Sequence, residues 1–176
     1  MKKMNLALAF VATMALMVTS ADAQTQSVKG INYVNAGIGI GTFGFNGTGG
    51  LPVTIGYDRG ITDQISVGAY LGMVRTKYAY DYKYKYTIFG VRGSYHFNEL
   101  LEIENPKIDL YGGVAINYRN YTLKYDVEGV HQKYSGSTVG VGIHAGGRYF
   151  FTEQFGAYAE LGYGISPLQL GAVLKF

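Results

Sequence analysis

The sequence predicts an all-β fold, an eight-stranded antiparallel up-and-down barrel, and three observations lead there. Hydrophobicity alternates with a period of two along most of the chain, glycine gathers on the parity the apolar residues leave, and only 15% of residues are charged although 48% are hydrophobic. An ordinary soluble domain carries about 25% charged residues and about 7% glycine; this chain of 176 residues has 26 Gly and 17 Tyr. The absence of cysteine excludes a disulfide framework and a thiolate metal site. A formal charge of +3 without a basic block gives no nucleic-acid footprint.

The first element is a processing signal. Lys2 and Lys3 form a basic start, Leu6 to Val18 an apolar run, and Ala21-Asp22-Ala23 a small-residue cleavage site. The run is too short for a spanning helix, so residues 1–23 are read as a cleaved signal peptide and 24–176 as one exported domain. The apolar parity of the first strand is Ala36, Ile38 and Ile40, and that of the second is Leu51, Val53, Ile55 and Tyr57. Ile65, Val67, Ala69, Leu71 and Met73 mark the third; Phe89, Val91, Tyr95 and Phe97 the fourth; Ile108, Leu110, Val114, Ile116 and Tyr118 the fifth. The sixth carries Val139, Val141, Ile143, Ala145, Tyr149 and Phe151, the seventh Phe155, Ala157, Ala159, Leu161, Tyr163 and Ile165, and the eighth Leu168, Leu170, Ala172, Leu174 and Phe176.

The opposite parity decides what meets each face. A solvent-facing sheet favours Thr, Lys and Glu, whereas Gly weakens a strand unless close packing requires it. Most strand glycines fall on the less apolar face, among them Gly37, Gly68, Gly90, Gly146 and Gly171. That face suits the lumen of a narrow barrel, where small residues make room for large ones. The large residues there include Asp58, Arg92, Asp109, Arg119, Arg148, Glu160 and Lys175, a lumen charge cluster of mixed sign. An apolar exterior around a polar, filled interior is the pattern of a transmembrane barrel. The competing reading, a soluble lipocalin-like binder, puts the glycines outside and leaves its surface short of charge.

With both mature termini on the periplasmic side, inner turns fall near 61–64, 98–106 and 152–155, and outer loops near 44–50, 81–83, 126–137 and 166–167. Tyr78, Tyr80, Tyr82, Tyr84 and Tyr86 alternate with Lys77, Asp81, Lys83 and Lys85. Pairing Tyr80 with Tyr84 across 81–83, and Tyr78 with Tyr86, gives an extracellular hairpin with one aromatic and one basic face. Arg75, Lys77, Lys83, Lys85 and Lys124 would then meet lipopolysaccharide headgroups at about 1 kcal/mol per cation; the competing account is an interfacial aromatic girdle with solvated lysines.

The signal peptide, the eight alternating strands and the terminal series Leu168, Leu170, Ala172, Leu174 and Phe176 resemble the small outer-membrane β-barrels of Gram-negative bacteria, the OmpX type and the barrel domain of OmpA-like proteins. The resemblance implies residence in the cell outer membrane, contact with its lipids, and Leu170, Leu174 and Phe176 as the signal read by the barrel-assembly machinery. It also implies a non-enzymatic role in envelope structure, with surface binding or adhesion to an external ligand through the loops. A narrow pore for small solutes and a lipid A-modifying enzyme are the alternatives. For catalysis, His96 lacks a serine in a convincing local arrangement, His144 is placed near Glu160, and His131 shares its loop with Glu128, Ser135 and Ser137. The His-x-Ser pattern of lipid A deacylases is missing at all three, so no catalytic residue, metal site or cofactor is expected.

Overall fold

A computed structural model describes residues 27–42, 48–78, 82–127 and 130–176. For 48–49, 77–78, 82–83, 125–127 and 130–131 it describes the backbone alone. The signal-peptide reading of 1–23, together with Tyr80, Asp81 and Glu128, lies outside the described residues. The strands are β1 (Asn32–Ile40), β2 (Val53–Gly60), β3 (Ile65–Tyr78), β4 (Tyr82–His96), β5 (Ile108–Val127), β6 (Val130–Phe150), β7 (Phe155–Gly162) and β8 (Leu168–Lys175). A two-residue segment, Thr48–Gly49, pairs with β3 at Lys77 and Thr76.

Each strand pairs antiparallel with its sequence neighbour. β1 and β8 close the ring, in register from Tyr33↔Lys175 to Ile40↔Leu168. Closure leaves no edge within the barrel wall, which a spanning sheet requires because lipid supplies no hydrogen bonds to a bare strand. The expected parity holds on the outer surface. Ile38, Val53, Leu71, Val91, Ile116, Val141, Leu161 and Leu170 are all exposed. Ile165 departs from it, being buried with Val74 and Ile88.

At the end where β1 starts and β8 finishes, two turns share one chemistry. Thr62 Oγ1 accepts from the amide of Ile65 at 2.9 Å, and Thr152 Oγ1 from that of Phe155 at 2.9 Å. The hydroxyls hold Ile61-Thr62-Asp63-Gln64 and Phe151-Thr152-Glu153-Gln154 as compact turns. The longer connection between β4 and β5 is closed at its base by Asn98, whose Oδ1 accepts from Leu110 N at 2.8 Å while Nδ2 donates to Ile108 O at 2.5 Å.

The opposite end is uneven. β3 to β6 run 14, 15, 20 and 21 residues, whereas β1, β2, β7 and β8 run eight or nine. Half of the barrel therefore continues as a four-stranded sheet beyond the other half. Three sequence expectations are corrected here. The region 126–137, expected as a loop, is mostly strand, with β5 reaching Val127 and β6 starting at Val130. The aromatic hairpin pairs Tyr78↔Tyr82, Thr76↔Tyr84 and Val74↔Tyr86, four residues out of the expected register. An even shift preserves which face each residue occupies, so hydrophobic parity alone did not distinguish the two. Finally, 166–167 belongs to a five-residue connection, 163–167, that folds into the lumen.

Candidate functional site

The narrow bore brings charges from five strands into one network. Arg92 on β4 grips Asp58 on β2 with two parallel bonds, Nε to Oδ1 at 2.7 Å and Nη2 to Oδ2 at 2.6 Å. Its remaining nitrogen, Nη1, donates to Glu160 Oε2 on β7 at 3.0 Å. Arg148 on β6 donates through Nη2 to Asp58 Oδ2 at 3.0 Å and through Nη1 to Asp109 Oδ2 on β5 at 2.7 Å. The Arg148 guanidinium lies between the rings of Tyr33 and Tyr111, 4.3 and 4.2 Å from their centroids. Asp58 and Arg148 are each 1% exposed. Bidentate geometry is what lets such buried charges offset their desolvation, which costs several kcal/mol per ion.

Neutral groups complete the network. Asn35 Nδ2 donates to Asp58 at 2.8 Å and the Tyr111 hydroxyl to Glu160 at 2.9 Å. Glycine makes the space: a Cβ on Gly68 would collide with the Asp58 carboxylate, and one on Gly146 would stand 2.8 Å from the Tyr111 hydroxyl. Of the seven predicted lumen charges, Asp58, Arg92, Asp109, Arg148 and Glu160 meet. Arg119 and Lys175 do not join them. Lys175 Nζ sits over the Phe150 ring at 4.4 Å, and Arg119 lies higher on β5 beside Asn117.

The histidines correct one expectation. His96 has a serine partner: Nε2 is 2.9 Å from Ser66 Oγ, and Nδ1 is 2.6 Å from Asp109 Oδ1. The order Ser–His–Asp is that of a hydrolase, but Ser66 is 1% exposed and Asp109 is tied to Arg148. A nucleophile needs room for a reacting carbonyl about 3 Å away, and this array is instead a fastening between β3, β4 and β5. His144 Nε2 lies 2.8 Å from Ser94 Oγ. It also lines, with Glu160, Arg92 and Asn35, a cavity of about 40 Å³. The expected loop around His131 is strand, with Ser135 opposite Thr122 and Ser137 opposite Asn120, and the His131 side chain lies outside the described residues.

That cavity holds a few waters at most, since one water needs roughly 10–15 Å³ of such volume. Below it the lumen is filled by the charge network. Above it the 163–167 connection inserts Ile165, 3% exposed, against Val74 and Ile88. Ser166 Oγ, with one proton to donate, sits among the carbonyls of Ile40 and Gly41 at 2.9 Å and of Leu168 at 2.8 Å, which ties the insertion to β1 and β8. Among the described residues the bore is therefore narrowed at two levels, by the charge network and by the Ile165 insertion.

The projecting sheet has two faces. Outward, the register runs from apolar rows to polar ones: Leu71↔Phe89↔Tyr118↔Val139, then Met73↔Thr87↔Asn120↔Ser137, then Arg75↔Lys85↔Thr122↔Ser135. The next row is Lys77↔Lys83↔Lys124↔Lys133, four lysines at consecutive register positions. Arg75, Lys85, Lys124 and Lys133 are exposed. The inward face carries Tyr84, Tyr86, Tyr121 and Tyr134, with Tyr84 and Tyr121 stacked at 6.5 Å. Lys133 and Tyr121 were missed by sequence reasoning because only the β5–β6 register, not local alternation, aligns them with the hairpin. The predicted assembly residues Leu170, Leu174 and Phe176 all face outward and are exposed.

A family model for the outer membrane protein beta-barrel domain matches residues 9–170. Among solved structures, the chain is similar to the outer membrane protein OprG of Pseudomonas aeruginosa, at 13% identity and a TM-score of 0.56, covering 88% of this chain and 99% of that one. Neisserial surface protein A matches at 15% identity and a TM-score of 0.55, covering 82% and 94%. The Yersinia pestis outer membrane protein Ail, determined in a phospholipid bilayer nanodisc, matches at 16% identity and a TM-score of 0.52, covering 84% and 100%. No curated protein matches the chain.

Removing one partner of the buried network leaves an uncompensated charge, which costs about 3–5 kcal/mol. Asp58→Ala is therefore expected to lower the urea midpoint of the folded barrel sharply, by an amount equivalent to that range. Lys175→Ala, outside the network, is expected to cost under about 1 kcal/mol. Equal midpoints for the two variants would show that the network contributes nothing.

Proposed function

Because the chain belongs to the outer membrane protein beta-barrel domain family, we propose that it is a non-enzymatic envelope protein whose projecting sheet is held in the lipopolysaccharide leaflet by a collar of cations. The carrying observation is the succession of outward rows, apolar through Leu71 and Val139 and cationic from Arg75 and Lys85 to the four-lysine row. Like charges at directly opposed positions repel and destabilise a sheet. Facing phosphorylated headgroups turns that cost into binding, at about 1 kcal/mol per cation near an anionic surface. With the cations in the outer leaflet, the start of β1, Phe176 and the two threonine turns lie on the periplasmic side.

The same sheet offers a surface for external contact. β6 pairs with β7 only from His144 to Phe150, with Tyr163 N adding one bond to Ile143 O at 2.8 Å. From Lys133 to Ser137, among the described residues, β6 pairs with β5 on one side alone, and such an edge accepts an extended segment through main-chain bonds. Leu170, Leu174 and Phe176 are assigned to recognition by the barrel-assembly machinery, since their exposed alternation on one face along and just after β8 suits a receptor reading an extended strand.

Replacing Arg75, Lys85, Lys124 and Lys133 by glutamine is expected to lower co-purified lipopolysaccharide at least about tenfold while the heat-dependent gel shift of a folded barrel persists. Unchanged lipopolysaccharide in a folded variant rejects the collar. Phe176→Ala is expected to slow insertion into membranes that contain the assembly machinery and to leave spontaneous refolding in detergent unchanged. Equal slowing in both settings would make Phe176 a packing residue only.

A further inference from the structure

Two neighbouring outward rows enclose a furrow in the barrel wall. The upper row runs from Ile55 through Leu71, Phe89 and Tyr118 to Val139, and the lower from Val34 through Ala69 to Ile116. Between them, floored by Gly56 and Gly90, lies an open groove of about 650 Å³. Ala69, the only small side chain in either row, leaves room between Tyr57, Leu71, Phe89 and Val91. The walls are held in place. Phe89 and Tyr118 pack ring to ring at 5.3 Å, and the Tyr57 hydroxyl donates to Asn32 Oδ1 at 2.6 Å.

Length and direction fit one lipid chain. The furrow crosses the wall from β1 to β6, and at about 4.8 Å between strands it is roughly 24 Å long. Strands of such barrels tilt by about 35–45°, so a furrow perpendicular to them climbs roughly 15 Å along the membrane normal, which is half of an about 30 Å hydrocarbon core. It climbs toward β6: Ile55 is close to Gly60, where β2 ends beside the start of β1, whereas Val139 is far from Phe150, the corresponding end of β6. Above the upper row the chemistry changes in the order that a phosphorylated lipid requires. Thr87, Asn120 and Ser137 come first, with hydroxyl and amide groups suited to acyl linkages, and Arg75 and Lys85 follow. These two cations are exposed and stand four residues above Leu71 and Phe89, roughly 13 Å along the strands.

We propose that the furrow seats one acyl chain of a lipopolysaccharide molecule whose phosphates rest on Arg75 and Lys85. The assignment rests on the cationic collar proposed above and adds the path of the chain below it. A chain entering the furrow leaves other chains of equal polarity, so the gain is close packing against fixed side chains, with the headgroup pinning the chain in place. A second barrel is disfavoured as the occupant, because pairing through this face would bring two sets of Arg75 and Lys85 together.

The test measures binding of purified lipid A, and of deacylated lipid A carrying the same phosphates, to the mature barrel in zwitterionic detergent micelles by native mass spectrometry. Ala69→Phe, which fills the furrow, is expected to weaken lipid A binding at least about threefold and to leave deacylated lipid A unchanged. Ala145→Phe, exposed on β6 outside the furrow, is expected to change neither. Joint replacement of Arg75 and Lys85 by glutamine is expected to weaken both ligands at least about tenfold, and all variants are expected to keep the heat-dependent gel shift of a folded barrel. Lipid A binding equal in Ala69→Phe and the parent, with the cation variant still weakened, overturns the furrow assignment and leaves the collar standing. Unchanged binding in the cation variant overturns both. A dimer of the parent that Ala69→Phe dissociates would give the furrow to a second copy and overturn the lipid assignment.

Discussion

A sheet placed in lipid must pair every backbone N–H and C=O with itself, and closing eight strands into a ring is how this chain does so. The β1–β8 register is therefore the contact on which the rest depends. Closing so few strands fixes a bore just wide enough for side chains to fill. Everything inward of the wall then has to fit by volume and pair by charge. Tyr158 illustrates the fit: a Cβ on either Gly37 or Gly171 would meet its ring or hydroxyl. A bulky aromatic and its glycine neighbours are one packing unit shared by β1, β7 and β8.

Charge pairing follows from the same restriction. Once Asp58, Asp109 and Glu160 point into a narrow bore, bulk water no longer solvates them and the arginines of other strands take its place. Arg92 and Arg148 both reach Asp58, so β2, β4 and β6 are joined by contacts their backbones do not make. Above the cavity Ile165 packs on Val74 and Ile88, so apolar contacts continue where the charge network ends. What the wall presents outward is the apolar band and, beyond it on the projecting sheet, the cationic rows.

Strand parity was legible in the sequence because period two survives any even shift of register. Ile38, Val91, Val141 and Leu170 face outward as alternation requires, and five of the inferred lumen charges meet. Features set by register or by chain reversal were not legible. The aromatic hairpin slid by four residues while Tyr84 and Tyr86 kept their face, and the β5–β6 hairpin looked like a loop because Gly, Ser and Lys are common in both settings. Ile165 belongs to the apolar series of β7 by count, yet the chain leaves strand geometry after Gly162 and turns that side chain inward. The serine beside His96 was hidden because Ser66 lies 30 residues away, on the neighbouring strand.

The absence of native cysteine allows single cysteines to be introduced and spin-labelled one at a time. The most direct test labels the outward positions 139, 141, 143, 145 and 149 of β6, with Lys107 and Glu153 of the turns as exposed references, in lipid vesicles and compares accessibility to oxygen, which partitions into bilayers, with that to a polar nickel reagent. The account predicts that Val139, Val141, Ile143, Ala145 and Tyr149 are open to oxygen and closed to nickel, and that Lys107 and Glu153 are open to nickel. Nickel access at the β6 positions equal to that at the turns would contradict a lipid-facing wall.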